Sequence, residues 1–150
     1  MEGTRIIPDL QCSLLCEDVR QEASGSFVLV GVLGALRVAK LPVQAYKLCV
    51  FSRWTAGVGE FVEEVRLLDP DQSTVLKKSQ VKFRLNDPSA HATNANLFPQ
   101  VQFTKEGVYY VEVMVDQIMK LRFPVPVKVV QPAQPPTATE GQPPADNPPA

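Results

Sequence analysis

The chain has 150 residues, 45% of them hydrophobic, and its 15 Lys and Arg residues nearly balance 16 Asp and Glu residues, for a net charge of -1. This length suits a single domain whose core is large enough to need neither a metal nor a disulfide. Because the basic residues are scattered among the acidic ones, we expect no positive patch, and nucleic acid is disfavoured as a partner.

The three cysteines, Cys12, Cys16 and Cys49, form no CxxC pair. One of them would stay unpaired in an oxidising compartment, so the count favours a cytoplasmic protein with buried, apolar thiols. Only two apolar residues separate Arg5 from Pro8, which is too few for a secretory signal. The apolar runs are also too short to span a bilayer, so we expect no membrane partner.

The chain is predicted to begin with a loose lead-in over residues 1–7. A first strand follows, because apolar residues then recur at every second position, at Leu10, Cys12, Leu14 and Cys16. The polar residues 17–23 are predicted to be a connection or a single helical turn.

Residues 27–33 are apolar on both alternating sides, which is typical of a strand covered on both faces. Gly31 and Gly34 indicate a bulge or a bend in this strand. We expect residues 36–39 to continue the same strand up to Pro42.

Residues 43–54 are rich in strand-forming residues and are predicted to be a long strand with both sides covered. A flexible glycine turn leads to the next predicted strand, residues 60–68. Glu63 is an exception there, because it falls on the apolar side. Residues 69–73, Asp-Pro-Asp-Gln-Ser, have the composition of a turn.

In the second half, a strand is predicted over residues 81–85, where apolar and polar residues alternate. A polar loop through His91 is expected to follow. Residues 97–103 then indicate an edge or irregular strand, because Pro99 cannot donate a backbone hydrogen bond.

The strongest local pattern is a predicted hairpin over residues 107–130. Its apolar residues fall on odd positions before and after a reversal near Asp116 and Gln117, so odd positions are predicted to point inward. Pro124 and Pro126 suit an edge of the sheet, where they protect it from pairing with other chains.

Seven or eight strands without a convincing helix predict an all-β fold, an antiparallel two-sheet β-sandwich that is immunoglobulin-like, with an up-and-down barrel as the alternative. Residues 8–130 form this predicted domain. Residues 131–150 hold seven of the 14 prolines and no aromatic residue, so we predict a disordered spacer or solubilising tail. Its Pro-Pro pairs leave open a second role, docking in an aromatic groove.

No catalytic machinery is expected. His91 is the only histidine, no GxSxG elbow is present, and a solvated loop histidine is the favoured interpretation. A hydrolase that uses His91 ranks third among the functional hypotheses. The sequence also lacks GxxxxGK[ST] and GxGxxG phosphate-binding motifs, so no cofactor is predicted.

Zinc is disfavoured because Cys12 and Cys16 would lie about 13 Å apart along one strand face. The same separation prevents a disulfide between them. Asp69 and Asp71 suit calcium chemically, although ordinary turn chemistry explains them without a metal.

Arg53 and Trp54 are the candidate binding residues, because arginine and tryptophan are enriched at binding hot spots and this pair would lie at the mouth of a sandwich loop. The alternative, which we favour, is that Trp54 closes the end of the core with Arg53 lying over its ring.

Several short motifs also resemble those of a known family. They are residues 10–20, Gly31-Val32, Pro42, the turn at 57–60, Leu67 to Asp71, and residues 107–116. Over about residues 8–130 the chain resembles a bacterial family of small proteins known only as a domain of unknown function. The resemblance implies a compact β-rich domain and supplies no catalytic residue.

The sequence therefore predicts a non-enzymatic β-sandwich that acts as a protein-binding or structural module, with an unidentified protein partner. Loops at one end, or the sheet edge near Pro124 and Pro126, are the expected contact surfaces. A small-molecule or calcium-dependent carbohydrate-binding domain is the alternative.

Overall fold

A computed structural model describes residues 4–131. These residues form nine strands: β1 (Asp9–Gln21), β2 (Phe27–Val32), β3 (Leu36–Val38), β4 (Val43–Thr55), β5 (Gly59–Leu68), β6 (Val75–Leu85), β7 (His91–Phe103), β8 (Gly107–Val115) and β9 (Ile118–Val129). None of the segments in this range is a helix of the length and apolarity that crossing a membrane requires.

The strands make two sheets, with orders β2-β1-β4-β7 and β3-β9-β8-β5-β6. One of the sheets curls into a half-barrel. The all-β, two-sheet prediction is confirmed at this level, whereas the strand number is nine rather than seven or eight. The pairing is also not purely antiparallel, because β3 runs parallel to β9.

The predicted hairpin forms as β8 and β9. Its inward-facing residues on β8 are completely buried, namely Tyr109, Val111, Val113 and Val115. The reversal occurs at Asp116 and Gln117, whose φ values of 47° and 70° are the positive angles that a tight hairpin turn requires. One edge of β9 pairs with β8, and the other edge pairs with β3 only at its last three residues. Pro124 and Pro126 come before those three residues, so within residues 4–131 the second edge of β9 is open beside them.

The additional strand is β3, which was predicted to continue β2. The chain instead bends at Gly34 and passes from one sheet to the other, where Leu36 pairs with Val127 and Val38 pairs with Val129. Sequence periodicity could not detect this change, because the partner strand lies about 90 residues further along the chain.

The predicted connection at residues 17–23 is wrong, because β1 continues to Gln21. Asp18 pairs with Val30 and Gln21 with Phe27, so this polar segment is one arm of a hairpin with β2. The turn is closed by a hydrogen bond of 2.8 Å from the Glu22 N–H to the Ser26 carbonyl.

The predicted polar loop around His91 is also wrong. His91 opens β7 and pairs with Thr55, and the ladder between β4 and β7 continues to Val43 and Phe103. The preceding strand, β6, begins at Val75 rather than near residue 81.

Part of the predicted lead-in is held against the domain. The Ile6 N–H donates to the Val58 carbonyl at 2.9 Å, and the Val58 N–H returns a bond of 3.0 Å to Ile6. Arg5 forms an ion pair with Asp116 and lies over the ring of Phe61. The predicted tail falls on residues 131–150, of which 132–150 lie outside the described residues.

The core lies between the sheets and contains two groups of aromatic rings. Trp54 stacks on Phe83 with ring centroids 5.6 Å apart, and Phe103 meets Tyr109 edge-on at 5.0 Å. The Tyr109 hydroxyl donates to the Lys105 carbonyl at 2.7 Å, which satisfies the polar end of this buried ring.

Candidate functional site

Of the two predicted binding residues, Trp54 has no solvent exposure and packs in the core against Phe83. Its expected position at the protein surface is therefore wrong, and its burial agrees with the alternative that the ring closes the core. Arg53 does not lie over this ring, because neighbouring residues of a strand point to opposite faces. A binding role for Arg53 remains a prediction.

One concave surface of the described residues is an open groove of about 470 Å³. It lies between β3 and the first half of β4, and we call it the β3–β4 groove. Its lining is mainly apolar, with charged residues at the rim: Glu17, Leu33, Ala35, Leu36, Arg37, Val38, Val43, Ala45, Tyr46, Lys47, Leu48 and Phe103. Its volume lies within the range of about 300–1,000 Å³ that is typical of ligand sites.

Tyr46 is the most exposed large hydrophobic side chain of the groove, at 82%. Its position follows from an irregularity in β4. Ala45 and Leu48 both pack on the core although they are three residues apart, so the alternation of faces shifts by one residue between them. Gln100, which lies on β7 between the partners of these residues, has a positive φ of 53°. This irregularity turns the Tyr46 ring away from the core.

The rim of the groove carries an ion pair between neighbouring strands. The Lys47 ammonium donates to the Asp18 carboxylate at 2.8 Å. This hydrogen bond is the main reason why the pKa of Asp18 is lowered and that of Lys47 is raised. Both groups are thus charged at neutral pH, and they fix the end of β1 beside β4.

Glu17 reaches the groove across a glycine. Gly31 has a φ of 66°, and a Cβ atom placed on it would lie 2.6 Å from the Glu17 Cδ atom. A residue without a side chain at position 31 therefore lets Glu17 lie against β2. The predicted bulge or bend at Gly31 corresponds to this left-handed residue.

A second polar constellation lies inside the core. Glu63 has no solvent exposure, and its carboxylate accepts hydrogen bonds from Asn94 at 2.6 Å and from Asn96 at 3.4 Å. Ser79 in turn donates to the Asn96 side-chain oxygen at 3.0 Å. Sequence patterns singled out Glu63 as an exception but gave no sign of the two asparagines.

The candidate calcium residues have other partners. Asp71 accepts hydrogen bonds of 2.8 Å from the Ser73 and Thr74 N–H groups and of 2.5 Å from the Thr74 hydroxyl. These bonds lower its pKa to about 2, with the Thr74 hydroxyl as the largest cause. Asp69 lies 3.2 Å from the Lys105 ammonium. The turn thus uses the Asp71 carboxylate in the way that ordinary turn chemistry predicts, whereas the Asp69 carboxylate pairs with a lysine outside the turn.

Within the described part of the chain, no group of three or more His, Cys, Asp or Glu side chains is placed to hold a metal ion. His91 is exposed at the start of β7. Cys12 is half-buried, whereas Cys16 and Cys49 are buried, and all three are free thiols.

A family model described as a family of unknown function, DUF6941, matches residues 11–128. This match covers most of the chain and nearly all of its ordered strands, in agreement with the resemblance seen in the sequence. A comparison with curated proteins finds no match.

Proposed function

We propose that this chain, which belongs to the family of unknown function DUF6941, is a peptide-binding module that receives an extended segment of a partner protein in the β3–β4 groove. The observation that carries the proposal is Tyr46, an aromatic ring that is 82% exposed beside an apolar groove. Aromatic residues of this kind supply much of the binding energy in protein interfaces.

The strand next to Tyr46 also favours an extended ligand. β3 pairs with β9 on one side and ends the sheet on the other. Its three residues, Leu36 to Val38, line the groove. The backbone N–H and C=O groups on the unpaired edge of β3 are therefore available for hydrogen bonds to a bound segment. Proteins that bind peptides by adding a strand obtain affinity from such bonds and specificity from adjacent side-chain pockets.

Selection from a displayed peptide library tests the proposal. The full chain is expected to enrich extended peptides with a shared apolar residue, and Tyr46→Ala should weaken their binding at least tenfold, because truncating an aromatic hot spot costs about 2 kcal/mol or more. Leu97→Ala is the matched control, since Leu97 is an exposed apolar residue on β7 that does not line the groove. Equal effects of the two substitutions would remove Tyr46 from the binding site.

The groove volume favours one alternative, a small-molecule or carbohydrate ligand. A thermal-shift screen of small molecules, with and without calcium, distinguishes the two hypotheses. A ligand that raises Tm in the wild type but not in Tyr46→Ala would support this alternative.

The remaining expectations belong to the same proposal: a non-enzymatic protein, an immunoglobulin-like topology, a bacterial origin and a cytoplasmic location. The expectation of a non-enzymatic protein is supported by the position of His91. This residue begins β7 and is not among the residues that line the groove. A hydrolase that depends on His91 would be revealed by turnover that His91→Ala abolishes.

A further inference from the structure

Two of the three cysteines lie directly opposite each other. Cys16 on β1 pairs with Cys49 on β4 in the antiparallel ladder. The residues that flank them, Leu15 on β1 and Leu48 and Val50 on β4, belong to the core. Since side chains alternate along a strand, both thiols point to the outer face of the four-stranded sheet.

Their spacing is suitable for a disulfide. Directly opposed residues of an antiparallel ladder have Cα atoms about 4.5–5.5 Å apart. Disulfide-bonded cysteines have Cα atoms about 4.4–6.8 Å apart. By this register, β1 and β4 place the Cα atoms of Cys16 and Cys49 at a spacing that a disulfide can bridge.

The third cysteine cannot compete in the folded chain. Cys12 lies on the same face of β1, but it pairs with Arg53 rather than with a cysteine. It is separated from Cys16 by about 13 Å along the strand.

We propose that Cys16 and Cys49 are a two-thiol oxidation site, which a peroxide converts into a disulfide between β1 and β4. One thiolate attacks hydrogen peroxide, forms a sulfenic acid and releases hydroxide, which is protonated to water. The second thiolate displaces the hydroxyl group as a second water, and the S–S bond forms. The two thiols lose two electrons and two protons, and the peroxide is reduced to two waters.

The local environment makes this reaction slow at neutral pH. Cys16 has no solvent exposure and Cys49 has 5%. Burial is the main reason why the pKa of each thiol is raised. Only the thiolate reacts. As long as the pH is below these pKa values, each increase of one pH unit is therefore expected to raise the rate of oxidation about tenfold.

The new bond would lie next to the β3–β4 groove, because Glu17 and Leu48, the chain neighbours of the two cysteines, line that groove. The inference itself does not depend on the proposed function. It rests on the register of β1 and β4 alone.

The test is peptide mapping of the folded full chain after treatment with hydrogen peroxide at pH 7 and pH 8. We expect a Cys16–Cys49 linked peptide, a chain that has lost two hydrogen atoms, and a Cys12 thiol that still reacts with an alkylating reagent. Cys12→Ser should form the link at the wild-type rate, and Cys49→Ser should form none.

Unfolded protein in urea provides the contrast. Without the ladder, loop closure favours the two cysteines nearest in sequence, so Cys12–Cys16 should become the main link. A Cys12–Cys16 link in the folded chain would overturn the proposal. Glutathione in the same solution is the control for oxidation. If it is fully oxidised and the folded chain still has no Cys16–Cys49 link, the proposal is also overturned.

Discussion

Glu63 is held in the core by two asparagine side chains from β7. Its carboxylate oxygens accept from Asn94 and Asn96, which lie 31 and 33 residues further along the chain. A buried polar group is tolerated when its hydrogen bonds are made and is costly when they are not. The constellation therefore ties β5 in one sheet to β7 in the other.

Removing one of these partners should destabilise the protein. We expect Asn94→Ala to lower the free energy of unfolding by about 2 kcal/mol, because it leaves a Glu63 oxygen buried without a donor. Asn86→Ala, at an exposed position, should change it by less than about 0.5 kcal/mol. Urea denaturation measures both, and equal losses would contradict the role given to Asn94.

The left-handed conformation of Gly31 gives a second prediction at this scale. Gly31→Ala should cost about 1–2 kcal/mol of stability, because a residue with a Cβ atom is strained at positive φ. It should also displace Glu17 from its place at the groove. When Glu17→Ala is also present, there is no Glu17 carboxylate for the new Cβ atom to displace, but the strain at positive φ persists. Gly31→Ala should therefore still cause most of its loss of stability in this variant.

Gly34 is the matched control, because a Cβ atom there would meet nothing within 4 Å. Gly34→Ala should leave the unfolding free energy within about 0.5 kcal/mol of the wild type. If the two alanine variants are equally stable, Gly31 has no conformational role.

Among the elements, the turn between β5 and β6 depends on one carboxylate. Asp71 accepts three hydrogen bonds from the turn, and its pKa falls from 3.8 to about 2. A lowered folded-state pKa contributes stability that is present above the unfolded pKa and is lost as pH falls through the folded one.

The stability of the wild type should therefore decrease between pH about 4 and about 2, in part through Asp71. Asp71→Ala should be less stable than the wild type at pH 5 and should lose less stability over this interval. Urea denaturation from pH 2 to pH 5 measures both slopes. Parallel slopes would show that Asp71 contributes nothing to the acid sensitivity.

The elements also differ in how far local sequence determines them. The β8–β9 hairpin was predictable, because its alternation and its turn residues lie within one short stretch. β3 was not, since three residues carry no periodicity and its partner is β9. The exposure of Tyr46 was not predictable either, because residues 43–54 were expected to be covered on both sides and the shift of faces in β4 becomes visible only against Gln100 on β7.

In the whole molecule, two layers with nine strands follow from the alternation that runs through most of residues 9–129. The alternation indicates which residues are buried but not which strands are neighbours, so the fold class was predictable and the sheet orders were not. The groove depends on those orders, because β3 joins the sheet opposite β4. The groove therefore could not be found from sequence, and neither of the predicted binding residues, Arg53 and Trp54, lines it.

The most direct test of the account is a chemical-shift map of the full chain with a library-selected peptide. If the peptide binds in the β3–β4 groove, the amide signals of Leu36 to Val38 and of Tyr46 to Leu48 should shift on binding, and Tyr46→Ala should raise at least tenfold the peptide concentration that these shifts require. Shifts confined to another surface, such as the open edge near Pro124 and Pro126, would contradict it.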